Sequence, residues 1–341
     1  MVLLVLMLLP LEAGAMEFTA PPVPEAGTDL MPEHTDSFGE GLEELVRKAL
    51  EALRPDLREA SRSCMGVAAA VLLAAVLHTF PGPAASAADL AGTAAIAGIL
   101  LTATDSLITL GSDTVRQMGE YGKLLLPVMT TALAAQGGLT SSTALYTGTA
   151  LFTAILSSLI SRFLVPGIYM YLALSAANSA TGEELLKRLR DLTKQAVSWA
   201  LKIVLTVFTT YMGITGVVSG TTDAAALKAA RVTVSSVVPV VGGILSDASE
   251  TILVSAGVRK NMAGLYGIFA IGAVFLGPFL RIGCHYLLLK LTAGICGIYG
   301  SRRHGELVGD FSAAMGLLLA MTGSACIMLL VSTVCFMKGV G

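Results

Sequence analysis

The sequence predicts an all-α membrane protein that crosses the bilayer several times, and three observations carry that prediction. From Cys64 to Met337 nearly the whole chain is apolar, in stretches of transmembrane length. Charged residues are only 13% of the chain, against about 25% in an ordinary soluble domain, and mean hydropathy is +0.76. The 22 basic and 24 acidic residues, partly crowded into the first 64 positions, cannot cover the surface of a soluble core of this size. The connections are short, which leaves no room for a soluble catalytic or nucleotide-binding domain. A net charge of −2 offers no basic stripe for nucleic acid.

The elements follow in chain order. Residues 1–15, MVLLVLMLLPLEAGA, have an apolar core and end in Ala13-Gly14-Ala15, the pattern of a signal peptide cleaved before Met16, although a basic n-region is missing. Residues 16–40 hold Pro21, Pro22, Pro24 and Pro32, too close together for a stable helix, and are expected to form a flexible extracytoplasmic tether. From 41 to 63, Leu42, Leu45, Val46, Ala49, Leu50, Leu53 and Leu57 recur at three and four residues, with Glu43, Arg47, Glu51 and Arg54 on the other face. This is an amphipathic helix with an expected kink at Pro55. Leu45, Leu50 and Leu53 could dock a partner, or the helix could cap the protein's own bundle.

The membrane domain is expected to run over 64–337, with a short tail at 338–341. Candidate spans lie near 65–80, 90–110, 124–139, 144–161, 163–178, 197–219, 232–256, 263–282, 284–300 and 312–336. Several are marginal in length, so about seven to nine transmembrane helices are expected. The stretch 144–178 reads either as two spans broken at Arg162 and Pro166 or as one long one, and Pro166 suits the first turn of a helix. Gly-Gly pairs such as Gly137–Gly138 permit close helix approach. The basic clusters at 182–195, 257–262 and 301–311 fit three cytoplasmic loops, which places residues 16–64 on the opposite side.

The acids within these apolar runs are the candidate functional residues. In 232–256, Pro239, Gly242 and Gly243 predict a broken or re-entrant helix, tolerable in a membrane only where the freed backbone faces protein or water. Asp247 and Glu250 follow, three residues apart and so on one helical face. They would form a polar lining or gate, or cap a helix at the membrane edge. Asp105 sits among Thr102, Thr104, Ser106 and Thr109, and would line a path or hold a polar helix–helix contact. Asp113 and Arg116 read as part of the adjoining loop. Arg281 and Lys290 read as flanking a turn and snorkelling to one interface.

His78 and His285 lack the paired spacing of a metal site, and Cys64, Cys284, Cys296, Cys326 and Cys335 lack C-x-x-C spacing. The cysteines are expected as small buried hydrophobes. No nucleophile elbow, zinc-protease motif or Walker A sequence occurs, so no catalytic residue, metal or cofactor is expected, and any ATP-driven work belongs to a partner.

Taken together, the leader, the amphipathic region and the multi-span body resemble the stage III sporulation protein AE family of endospore-forming bacteria. The most specific stretch is VPVVGGILSDASE, Val238 to Glu250, continuing through Ser255, Lys260-Asn261 and Gly264, with the Asp105 run and the basic loop at Lys187 in support. That resemblance implies a permease-like, non-enzymatic subunit made in the mother cell and seated in the outer forespore membrane, its translocated side facing the intermembrane space. It implies partners too: the other stage III proteins of the same operon and one made in the forespore, which together resemble a specialised secretion channel. A structural platform for that complex, and less so an independent transporter, are the other readings.

Overall fold

The computed structural model describes residues 21–33, 38–77, 83–237, 242–299 and 302–338, with side-chain surroundings for all of these except 77, 83–89, 216–237, 242–260, 299 and 302. Every long element is a helix. We label them α1 (Glu25–Thr28), α2 (Phe38–Leu77), α3 (Pro83–Ala135), α4 (Leu139–Leu159), α5 (Val165–Thr181), α6 (Glu184–Val237), α7 (Gly242–Tyr299) and α8 (Arg302–Lys338). Among the described residues, six helical runs are long and apolar enough to cross a membrane: Phe38–Val76, Leu90–Ala135, Leu139–Thr181, Glu184–Thr215, Asn261–Ile298 and Arg303–Lys338.

The long helical runs alternate in direction, α4 and α5 counting as one run. Phe38 stacks on Phe269 with ring centroids 5.9 Å apart, and Arg281 reaches Asp56 and Glu59 at 3.4 and 3.5 Å, so α2 and α7 climb together. Gly305 meets the backbone of Gly297, while Gly264 lies under Met337, so α8 descends against α7. The α8 helix is the hub, touching α3, α4, α5, α6 and α7. Its Leu307, Phe311, Met315, Leu318 and Met321 are fully buried. Small residues set the closest crossings. A methyl group at Gly148 would stand 2.1 Å from Cε1 of Tyr211, whose hydroxyl donates to the carbonyl of Ala144.

The turns follow from local chemistry. Gly137 takes a φ of +89°, and the amides of Gly138 and Gly137 donate to the carbonyls of Leu133 and Ala134 at 3.1 and 2.9 Å. This is a Schellman ending to α3, so the glycine pair serves the turn into α4 rather than a helix crossing. Gly182, at φ +74°, ends α5 in the same left-handed region. Between α4 and α5 the chain makes a π turn over Ile160–Leu164. Pro166 explains it: an α-helical turn would press the proline ring on the carbonyl of Arg162 and leave that carbonyl without its donor. The stretch 139–181 is therefore one helical run, the second of the two readings above.

Continuity changes several expectations. The candidate spans 90–110 and 124–139 share α3, except for the last four residues of the second, and 263–282 and 284–300 share α7, residue 300 lying outside the described residues. A continuous helix keeps one direction and cannot cross twice, so among the described residues six runs stand in place of the candidate segments other than 232–256, of which residues 238–241 lie outside the described residues. Asp113 and Arg116 lie inside α3, not in a loop, and no turn separates Arg281 from Lys290. The polar stretch 182–195 is almost wholly the start of α6, and 302–311 the start of α8. These two basic clusters do share one end of the bundle, where Arg190 pairs with Asp310. The third, 257–262, adjoins Gly264 and Met337 at the other end, because a single helix separates it from 301–311.

The amphipathic segment is also not separate. It forms the first half of α2, which continues through Pro55 to Leu77. Part of the tether is held down as well. Leu30, Leu45, Ala49 and Ala273 form a small buried cluster, and Lys48 donates to the carbonyl of Met31 at 2.9 Å. Val23, Leu30 and Met31, set between the prolines, give that segment an apolar side worth burying.

Candidate functional site

The side chains with chemistry gather in two places. The first is the outer face of α3. Thr102, Thr109, Arg116 and Lys123 recur every seven residues, as do Ser106, Asp113 and Glu120, with Asp105 beside them. All are exposed or half-exposed, while Leu107, Val115 and Met118 face the core. A seven-residue repeat returns to nearly the same azimuth on an α-helix, so the polar residues form one stripe about 32 Å long from 102 to 123.

The stripe cannot be kept wholly outside a membrane that α3 crosses. Charged residues bound the charge-free parts of α3, and those parts, 90–104 and 124–135, span only about 22 and 18 Å, against a hydrocarbon core of about 30 Å. Each charge facing hydrocarbon costs about 2.5–3.5 kcal/mol at a helix centre. A fully lipid-facing stripe would approach the whole folding free energy of an ordinary domain, about 5–15 kcal/mol. The Arg116–Asp113 pair at 3.1 Å offsets part of that cost.

Between this stripe and α4 opens a cleft of about 470 Å³, lined by Arg116, Glu120, Lys123, Tyr146, Ser157 and Arg162 among others. Arg162 belongs to the π turn. Asp105 lies at the upper end of the stripe, where the Tyr169 hydroxyl of α5 donates to its Oδ1 at 2.6 Å. Asp105 is thus exposed on the bundle's flank, tied to a neighbouring helix. Thr102 and Ser106 donate to their own helix carbonyls.

The second place is buried. Asp310 on α8 accepts from the hydroxyls of Tyr171 at 3.0 Å and Ser175 at 2.5 Å, both on α5, and from Arg190 of α6 at 2.6 Å. Arg190 also gives two hydrogen bonds to Asp191, at 3.0 and 2.9 Å. The Arg190 side chain is 9% exposed, and Tyr171 and Ser175 are buried. Three helices are therefore pinned around one carboxylate. Farther along α8, Thr149 and Ser332 share a buried hydrogen bond.

Sequence reasoning placed Arg190 in a loop and did not single out Asp310, an acid just before an apolar run with no partner legible in the primary structure. The stripe did leave a signal, the heptad spacing of polar residues from 102 to 123. Splitting α3 into two spans and a loop hid it. Asp247 and Glu250 fall outside the residues whose side chains are described, and Pro239 outside the described residues altogether; Gly242 and Gly243 open α7. Leu45 is buried against Gly272 of the protein's own α7, Leu53 is half-buried and Leu50 is 52% exposed, so the three do not form one surface. His285 lies against the carbonyl of Arg281, and Cys64, Cys296 and Cys326 are buried. Among the described residues no group of His, Cys, Asp or Glu comes together as metal ligands.

Six long apolar helical runs among the described residues, one of them the buried hub, with a polar flank, define a multi-pass helical membrane protein. The sequence profile described as stage III sporulation protein AE matches residues 31–339, and the chain belongs to that family. It is 25% identical over 189 residues to stage III sporulation protein AE of Bacillus subtilis (strain 168), a match covering 55% of this chain and 47% of that protein. The aligned part thus spans about half the length of the curated relative. No solved structure matches.

Proposed function

We propose that this protein is a non-catalytic membrane subunit of a sporulation-specific secretion or channel complex joining mother cell and forespore, and that the outer face of α3 lines its hydrated path. Membership of the sporulation family supports the setting. The observation that carries the mechanism is the stripe from Thr102 to Lys123. A face with that many charges is tolerated at membrane depth only against water or another polar surface. The seat is the mother-cell-derived outer forespore membrane, with the mature N-terminal segment facing the intermembrane space. The partners are the other stage III operon proteins and the forespore-made channel component.

A second reading, an assembly platform without a conducting path, is favoured by α2. Leu42, Val46, Leu50 and Leu57 are exposed on one side of that helix although Leu45 and Ala49 are buried on another. Thiol labelling separates the two readings. With the five native cysteines replaced, single cysteines at Thr109, Arg116, Val115 and Met118 are challenged in the assembled complex with a small charged reagent. The conduit predicts rapid labelling at Thr109 and Arg116 and protection of the buried Val115 and Met118. Protection at all four positions would sink the conduit and favour the platform.

A further inference from the structure

We propose that the cleft between α3 and α4 is a binding site for a phosphate-bearing anion, held by Lys123 and Arg162 with Arg116 beside them. The inference deepens the reading above and rests on it in one respect, that the cleft opens on the same polar face. Three cations and a single carboxylate, Glu120, line the cavity. Arg116 is engaged by Asp113 at 3.1 Å. Lys123 and Arg162 have no ion-pair or hydrogen-bond partner among the described residues, so their charge is available to a ligand.

The rest of the wall suits an oxyanion. Tyr146, Ser157 and Ser161 bring hydroxyl groups, and Thr153 Oγ1 is buried at the cleft without a hydrogen-bond partner. A planar guanidinium offers paired donors to phosphate oxygens, and an ammonium adds a point charge. The volume of about 470 Å³ accommodates a headgroup-sized ligand. The π turn has a place in this arrangement, because the local widening at Ile160–Leu164 is what carries Arg162. A basic pocket between membrane helices can take the phosphate of an anionic lipid or of a solute in the conduit. The shared chemistry is the phosphate.

The test has two arms on the full chain. In the first, protein is reconstituted in nanodiscs of phosphatidylglycerol or phosphatidylcholine, and bound lipid is counted by native mass spectrometry. In the second, melting is followed in neutral detergent with inorganic phosphate or chloride at equal ionic strength. Lys123→Gln and Arg162→Gln are compared with Lys202→Gln, an exposed cation on α6 away from the cleft. Retention of phosphatidylglycerol identifies a lipid headgroup; stabilisation by phosphate alone identifies a solute. In either case the cleft variants should weaken the effect about tenfold or more, since each loses a charge-assisted hydrogen bond to the anion, and Lys202→Gln should leave it unchanged.

Absence of any preference in the wild-type protein in both arms would overturn the site, as would an equal loss in Lys202→Gln. Circular dichroism and gel filtration establish that the variants fold. If they do not, the wild-type preference decides alone, for phosphatidylglycerol over phosphatidylcholine in the first arm or for phosphate over chloride in the second, and absence of both overturns the site. Thiol labelling of the stripe does not depend on this charge. Labelling with no anion binding therefore removes the site and leaves the conduit, and protection of the stripe removes the conduit.

Discussion

Asp310 shows how much one carboxylate can organise. It collects donors from Tyr171, Ser175 and Arg190, so that α5, α6 and α8 meet at a single group. Removing one partner of such a pair strands the other with its desolvation unpaid, whereas removing both can be close to neutral. We expect Arg190→Met to lower stability by about 3 kcal/mol, the low end of the range for buried pairs, because the pair lies within about two and a half turns of the helix starts. The Arg190→Met, Asp310→Leu double variant should recover part of that loss. Thermal melting in one detergent checks both statements, and a double variant less stable than either single one would show that the pair is not a unit. Gly148 is the steric counterpart. Leucine there would collide with Tyr211, whose ring already sits where a methyl group would go.

Helix α2 carries two apolar stripes with different duties. Leu45 and Ala49 face α7, and the contact is short because Gly272 has no side chain. Leu42, Val46, Leu50 and Leu57 face outward, between Glu43, Arg47, Glu51 and Arg54. Substitution should divide them. Leu45→Ala is expected to cost about 2–3 kcal/mol through the lost burial and the cavity left behind. Leu50→Asp should stay within about 0.5 kcal/mol in the isolated subunit yet reduce recovery of the assembled complex. Melting and co-purification measured on the same two variants give the answer. Normal assembly by Leu50→Asp would take the outer stripe out of any interface. On α3 the same logic runs in polar residues, where heptad spacing selects one azimuth and leaves the opposite side to Leu107, Val115 and Met118.

For the molecule as a whole, alternation of helix direction fixes which turns share a side. The α5–α6 turn at 182–183 and the start of α8 belong to one end, and the α3–α4 turn at 136–138 to the other. Cysteines at Glu183 and Gln136 should therefore label from opposite faces of the membrane, and one at Asn261 should label with Gln136 rather than with Glu183. Labelling of Asn261 together with Glu183 would refute the continuity of α7. By itself the sequence determined the helical membrane class, the amphipathic pattern of 41–63 and the family, since apolar run length, periodicity and motif are properties of a linear string. Hydropathy, however, sums transfer free energy along a segment and carries no information about rotation around the helix axis. Packing sets that rotation. Only the tertiary structure decided that Asp113 and Arg116 belong to one outward stripe of α3 rather than a loop. Only it brought Arg190 and Asp310, 120 residues apart, to 2.6 Å, because pairing a buried charge requires a neighbour that the chain supplies from a distant helix.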